Sequence, residues 1–203
     1  MTMNKYPFIL ALTFLSAAHG AIITPIGGST TAPIGNGAIA NVIDGTIDFD
    51  SFLQLGPTAA GPFAGPYTLR LDLGGQFNLT GMNLWNNAGA NEFDGEGINA
   101  FTLTFLDTSL FSAGSFSSTA LDTLAPQAYT FSAPNVAFVD LTITSNHQVG
   151  QYVDFYEINF TGLAAAVPEP STWGVGILGV LALATFQRKR LGKLGRGAAR
   201  QRS

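Results

Sequence analysis

The chain has 203 residues, 46% hydrophobic and 11% charged, with 24 glycines, 16 phenylalanines, two histidines and no cysteine. That length suits one domain, the apolar content excludes a wholly disordered chain, and the lack of cysteine excludes a disulfide scaffold, a Cys-ligated zinc, an iron–sulfur centre and a thiol nucleophile. Seven of the nine Lys and Arg follow residue 187, and between residues 21 and 166 twelve acids face one base, Arg70, leaving that stretch at −11. Such a body repels phosphate backbones, so nucleic acid is excluded as a partner, and it attracts cations instead.

Residues 1–20 read as a secretory signal peptide. Lys5 supplies the positive start, and Phe8 to Ala18 form an apolar run of eleven residues, too short to span a bilayer. Ala18 and Gly20 place small residues at −3 and −1 of a cleavage before Ala21. Residues 21–37 are rich in Thr, Pro and Gly and read as an extended leader. Beyond them no helical period persists. Tyr67 to Leu73 alternates Leu69, Leu71 and Leu73 with Thr68, Arg70 and Asp72, and Met82 and Leu84 continue the pattern. Ala100 to Leu106 alternates Phe101, Leu103 and Phe105 with Thr102 and Thr104. Phe138, Leu141 and Ile143 follow, then Val153 and Phe155, with Ile158 and Phe160 out of phase. Gly, Asn, Asp and Pro clusters separate these runs, which predicts an all-β sandwich.

The wording and order of these segments add a family likeness. Ala40 to Gly45 (ANVIDG), Leu71 to Gly75, Leu79 to Asn87 (LTGMNLWNN), Gly97 to Phe101, Val139 to Asn146 and Val153 to Phe160 (VDFYEINF) follow in turn. The succession over residues 38–161 resembles the discoidin-like, coagulation-factor-type C domain. That resemblance implies a galactose-binding-like jelly roll, mostly binding carbohydrate or lipid headgroups through loops at one end. Phe52 stands near where the family often has a Trp after the early Asp-Gly, and the loop from Gln54 to Pro66 is unusually rich in Gly and Pro.

Asp44, Asp48 and Asp50 crowd carboxylates that suit a hard cation such as calcium, which takes six to eight oxygens; they equally suit solvated turns, with Asp44-Gly45 as a hairpin turn. The resemblance implies a structural calcium near this loop, closed by a Glu of the last strand, here Glu157. Asn91 to Gly97 (NEFDGEG) reads as a solvated acidic turn. For a sugar, Trp85, Asn86 and His147 supply an aromatic and planar polar groups at strand ends, although Trp85 equally continues the Met82/Leu84 strand into the core and His147 equally reads as an exposed loop residue. Arg70 can clamp a carboxylate or an acidic sugar, or pair with neighbouring Asp72 on a solvent face, the reading favoured here. An enzyme is hard to build: no Gly-x-Ser-x-Gly elbow or phosphate loop exists, and a triad would have to use His147. Paired-carboxylate glycoside hydrolysis is the remaining catalytic alternative.

The C-terminal end has three parts in order: Val167-Pro168-Glu169-Pro170-Ser171 within a linker over 162–172, an uncharged apolar run within 173–187, and a basic tail over 188–203 opened by Arg188, Lys189 and Arg190. The flanking prolines keep the linker extended. Ser171 to Phe186 is 16 residues, about 24 Å as helix at ~1.5 Å per residue. That is short of the ~30 Å hydrocarbon core, and local thinning with snorkelling of Arg188 and Lys189 lets it span as a single transmembrane helix. The basic cluster places the tail in the cytoplasm. These residues resemble the PEP-CTERM sorting signal of exopolysaccharide-producing Gram-negative bacteria, with two departures: glycines at 174, 176 and 179, and a tail continuing from Leu191 to Ser203. The resemblance implies an exosortase-type membrane transpeptidase as partner, inner-membrane anchorage before processing, and release or re-attachment at the cell surface. The sequence thus predicts an exported, non-catalytic surface or matrix module binding polysaccharide, with an acidic structural protein lacking a specific ligand as the alternative.

Overall fold

The computed structural model describes residues 20–47, 51–87, 95–147 and 150–166. Most of the expected signal peptide, the Pro-Glu-Pro segment, the apolar run and the basic tail lie outside the described residues. Among the described residues no helix is long and apolar enough to cross a membrane.

The described chain is all-β. Nine strands run in order: β1 (Ala21–Ile23), β2 (Gly27–Thr30), β3 (Ile34–Gly37), β4 (Leu53–Leu55), β5 (Tyr67–Asn86), β6 (Ile98–Leu106), β7 (Ser112–Thr119), β8 (Gln127–Asn146) and β9 (Val153–Ala164), with one 3-10 turn at Ile39–Val42. The hydrogen-bonded path is β3-β4-β9-β5-β8-β6-β7, with β1 on β9 and β2 on β5. β5 and β8 serve both layers of the sandwich. Their first pairing block sets Tyr67–Asp72 against Phe138–Ile143, and after a break in register Phe77–Leu84 lies against Gln127–Val136. At the break Gly74 takes φ +74° and its N–H donates to Asp72 Oδ1 at 2.8 Å, a turn that lets β5 cross from one layer to the other. Asn135, φ +56°, marks the corresponding bend in β8.

Period-2 alternation fills the core. Leu69, Leu71, Phe101, Leu103, Phe105, Leu141 and Ile143 from one layer meet Leu79, Met82, Leu84, Phe155, Ile158 and Phe160 from the other in one apolar cluster. Each buried Leu or Phe contributes about 1.5–3 kcal/mol. Tyr129 and Phe131 stack edge-on or tilted against Phe101, Phe105 and Phe116 across the layers. Gly81 is required where β5 is flanked on both sides: a Cβ there would lie 2.5 Å from Tyr129 O and 2.9 Å from Thr161 Oγ1.

The phase slip read in β9 has a physical cause. Trp85 pairs with Glu157 while Asn86 pairs with Phe155, so an extra residue, Tyr156, bulges the strand and turns Ile158 and Phe160 back inward. Residues 21–37, expected as an extended leader, are extended but built into the sandwich as three strands, and β9 continues past residue 161 to Ala164. One end of the sandwich gathers Tyr67, Asn86, Ile98, Leu121, Asn146 and Gln151: Tyr67 Oη donates to Gln151 O at 2.5 Å, Asn86 reaches Ile98 and Leu121, and Ile98 lies opposite Asn146. This is the loop end.

Candidate functional site

The four residues expected at a ligand do not form one site. Arg70 sits within β5 opposite Asp140 of β8, and its Nε and Nη2 donate to Asp140 Oδ1 and Oδ2, both at 2.7 Å. The expected Asp72 partner is corrected: the Asp72 carboxylate accepts the Gly74 N–H. Donating to the Asp140 carboxylate raises the guanidinium's pKa further. Arg70 lines a shallow groove of about 210 Å³ with Gly27, Gly28, Ser29, Asp72 and Phe138.

Asn86 is corrected from a ligand group to an interior brace. It is 0% exposed; its Nδ2 donates to Ile98 O at 2.7 Å and Leu121 O at 3.1 Å, and its Oδ1 accepts from Ile98 N at 2.7 Å. Every strong position of the amide is engaged, so it has little left for a sugar. Trp85 is half-buried and lies opposite Glu157, on the face away from Met82 and Leu84, so it is not part of the central core. His147 follows β8 at the loop end, half-buried, with a buried Nε2 that has no hydrogen-bond partner.

Of the expected cation ligands, Asp48 and Asp50 lie outside the described residues. Asp44 and Glu157 are brought together. Glu157 is 1% exposed and neither carboxylate oxygen has a hydrogen-bond partner. The Gly45 backbone amide works against the rise that burial causes in the Glu157 pKa. Burial, with the Asp44 charge adding to it, pushes Glu157 up to about 7. Asp44 itself holds its turn, accepting Thr46 N–H at 2.7 Å, and Gly45 takes φ +78°. Orphaned carboxylate oxygens in the interior fit a hard oxygen-liking cation such as calcium.

A second group of polar side chains stands at the loop end, and the sequence reading missed it. Asp154 is 3% exposed. Its backbone N–H donates to Glu96 O at 2.9 Å, and Gly97 and Asp154 form a parallel bridge, so the main chain fixes the two acids side by side. Tyr152 Oη donates to Glu96 Oε1. Gln54, paired with Asp154 across β4–β9, and Asn87 lie beside its carboxylate and work against the rise that burial causes in its pKa. Thr58 Oγ1 donates to Gln54 Oε1 at 2.8 Å and Tyr156 Oη donates to Asn87 Oδ1 at 3.1 Å. Two buried oxygens are left without partners, Glu96 Oε2 and Asp154 Oδ1. Burial, then the Glu96 charge, pushes Asp154 up to about 8 despite the two amides. Glu96 belongs to the acidic turn expected to be solvated; it is half-buried instead. The only hint in the sequence was an acid, Asp154, flanked by Val153 and Phe155.

No protein-family model matches the sequence, and no curated protein is similar to it. Solved structures share the fold. The family 32 carbohydrate-binding module of NanJ from C. perfringens, in complex with galactose, superposes at a TM-score of 0.54 with 16% identity, over 70% of this chain and 98% of that one. The lectin domain of lectinolysin, complexed with Lewis B antigen, does so at 0.52 with 17% identity, over 69% and 93%. The C-terminal domain of a chitobiase from Bacteroides fragilis does so at 0.54 with 14% identity, over 72% and 100%. The sandwich therefore has the fold of the discoidin-like, family 32 carbohydrate-binding modules.

Proposed function

We propose that this chain is an exported, non-catalytic carbohydrate-binding protein of the cell surface or extracellular matrix, carried there by its C-terminal PEP-CTERM-type signal. The observation that carries the binding role is the shared fold, since structures of that fold were solved with galactose and with Lewis B antigen bound. The loop end, where His147 leaves a buried ring nitrogen unpartnered, is the place for the ligand. Saturable retention on extracted exopolysaccharide is expected from the full chain. His147→Ala should weaken it at least tenfold while Arg70→Ala, removing a cation already matched by Asp140, leaves it within twofold. Retention that does not saturate would return the chain to the alternative, an acidic surface protein without a specific ligand.

Sorting rests on the sequence of residues 167–190, where the Pro-Glu-Pro segment, the apolar run and the Arg188-Lys189-Arg190 cluster stand in order. In a host with its exosortase-type transpeptidase the protein should lose the C-terminal tail and leave the inner membrane. In a host lacking that enzyme it should keep both the tail and the membrane location. An unchanged mass in both hosts would rule this out. The same reading includes a structural calcium between the Asp44–Asp50 loop and Glu157, with Asp44, Asp48, Asp50 and Glu157 as ligands; the ion would neutralise the crowded carboxylates and tie the loop to β9.

A further inference from the structure

Beside the Asp44–Glu157 pair, the loop end holds an independent set of oxygen donors. We propose that Glu96 and Asp154, with Glu96 Oε2 and Asp154 Oδ1 as ligands, form a second site for a hard divalent cation of the calcium class.

The main chain brings the two acids together through the Asp154 N–H to Glu96 O bond and the Gly97–Asp154 bridge. Two carboxylates held side by side out of water need either a shared proton or a cation. Two buried oxygens without partners, Glu96 Oε2 and Asp154 Oδ1, point to the cation. Tyr152 Oη donates to Glu96 Oε1, and Gln54 and Asn87 lie beside Asp154. Donated hydrogen bonds favour the ionised form of a carboxylate. When both carboxylates are ionised, something positive must balance them. Among the described residues no Lys or Arg does so. Arg70 is the only Lys or Arg between residues 21 and 166, and it is bound to Asp140. Among the described residues no third His, Asp or Glu completes a cluster. An oxygen-only donor set with two carboxylates suits calcium or magnesium, with water and carbonyls completing the shell, rather than zinc.

The site does not depend on the carbohydrate reading, and the test separates it from the Asp44–Glu157 site. Equilibrium dialysis of the full chain against radioactive calcium counts bound ions in the parent protein, D154N, E96Q and E157Q, with near-ultraviolet circular dichroism confirming that each variant is folded. D154N and E96Q should each bind one ion fewer than the parent, or bind it at least tenfold more weakly, while E157Q retains this ion. Glu96→Gln leaves the buried Asp154 in place, so it tests the site even if D154N fails to fold. Folded D154N and E96Q proteins that bind as many ions as the parent, with equal affinity, would overturn the proposal, whatever E157Q does.

Discussion

In the presence of a chelator the chain should lose stability as the pH rises from about 4 to about 8. Asp154 titrates near 3.8 when unfolded and is pushed up to about 8 when folded; Glu157 moves from 4.5 to about 7. Between those values the folded chain holds more protons than the unfolded chain, so stability is highest below the unfolded values and falls as the pH climbs through the folded ones. The groups responsible are identifiable. Asp154 faces Glu96, Gln54 and Asn87, and Glu157 faces Asp44 and the Gly45 amide. Each pKa unit corresponds to about 1.4 kcal/mol, so the two groups together should shift stability by several kcal/mol across this window. Calcium should reverse the trend, because it binds the ionised carboxylates. A ligand at one hundred times its Kd adds about 2.7 kcal/mol, worth roughly 5–10 °C in Tm for a chain of this size. D154N and E157Q should each flatten the chelator curve and reduce the gain from calcium. Urea melts at several pH values, with chelator and with calcium, measure both effects. Melts in chelator that do not change between pH 4 and pH 8 would show that these acids are not held in the interior as described.

The sandwich was legible because its strands are half-buried and period-2 alternation reports burial directly. Leu69, Leu71, Phe101, Leu103 and Phe105 all face the core as their spacing predicts. Even the phase slip before Ile158 was visible, though its cause, a bulge at Tyr156, needed the register with β5. The short strands β1 to β3 were harder to read, since Gly-rich and Pro-rich segments of three or four residues carry too little pattern; their pairing with β9, β5 and β4 fixes them. Polar partners were harder still. Arg70 pairs with a residue 70 positions away, and no local rule distinguishes that from the neighbouring Asp72. Asp44 and Glu157 came together because the family likeness pointed to them. Glu96 and Asp154 did not, because each looks like a solvated turn or outward strand acid until β9 and the chain after residue 95 are placed side by side.

Replacing Asn86 with Ala should destabilise the chain by about 3–5 kcal/mol, among the largest effects of any single polar substitution. Three buried hydrogen bonds would go at once: two donated by Nδ2, to Ile98 O and Leu121 O, and one accepted by Oδ1 from Ile98 N. Ile98 is 0% exposed, so its N–H would be left dry, and an orphaned buried group costs about 1–3 kcal/mol. Removing the amide also leaves a void where β5 meets β6 and the chain after β7. Asn86→Asp should fare no better, since it keeps the acceptor, loses both donors and buries a charge. Arg70→Ala gives the contrast. Its side chain is 39% exposed and that of Asp140 18%, and exposed ion pairs contribute only about 0–1 kcal/mol, so its urea midpoint should move little. If Asn86 were instead a ligand group, Asn86→Ala would abolish glycan retention with the midpoint unchanged. The expected result is the opposite order, in which stability falls first and retention fails only where the loop end has come apart.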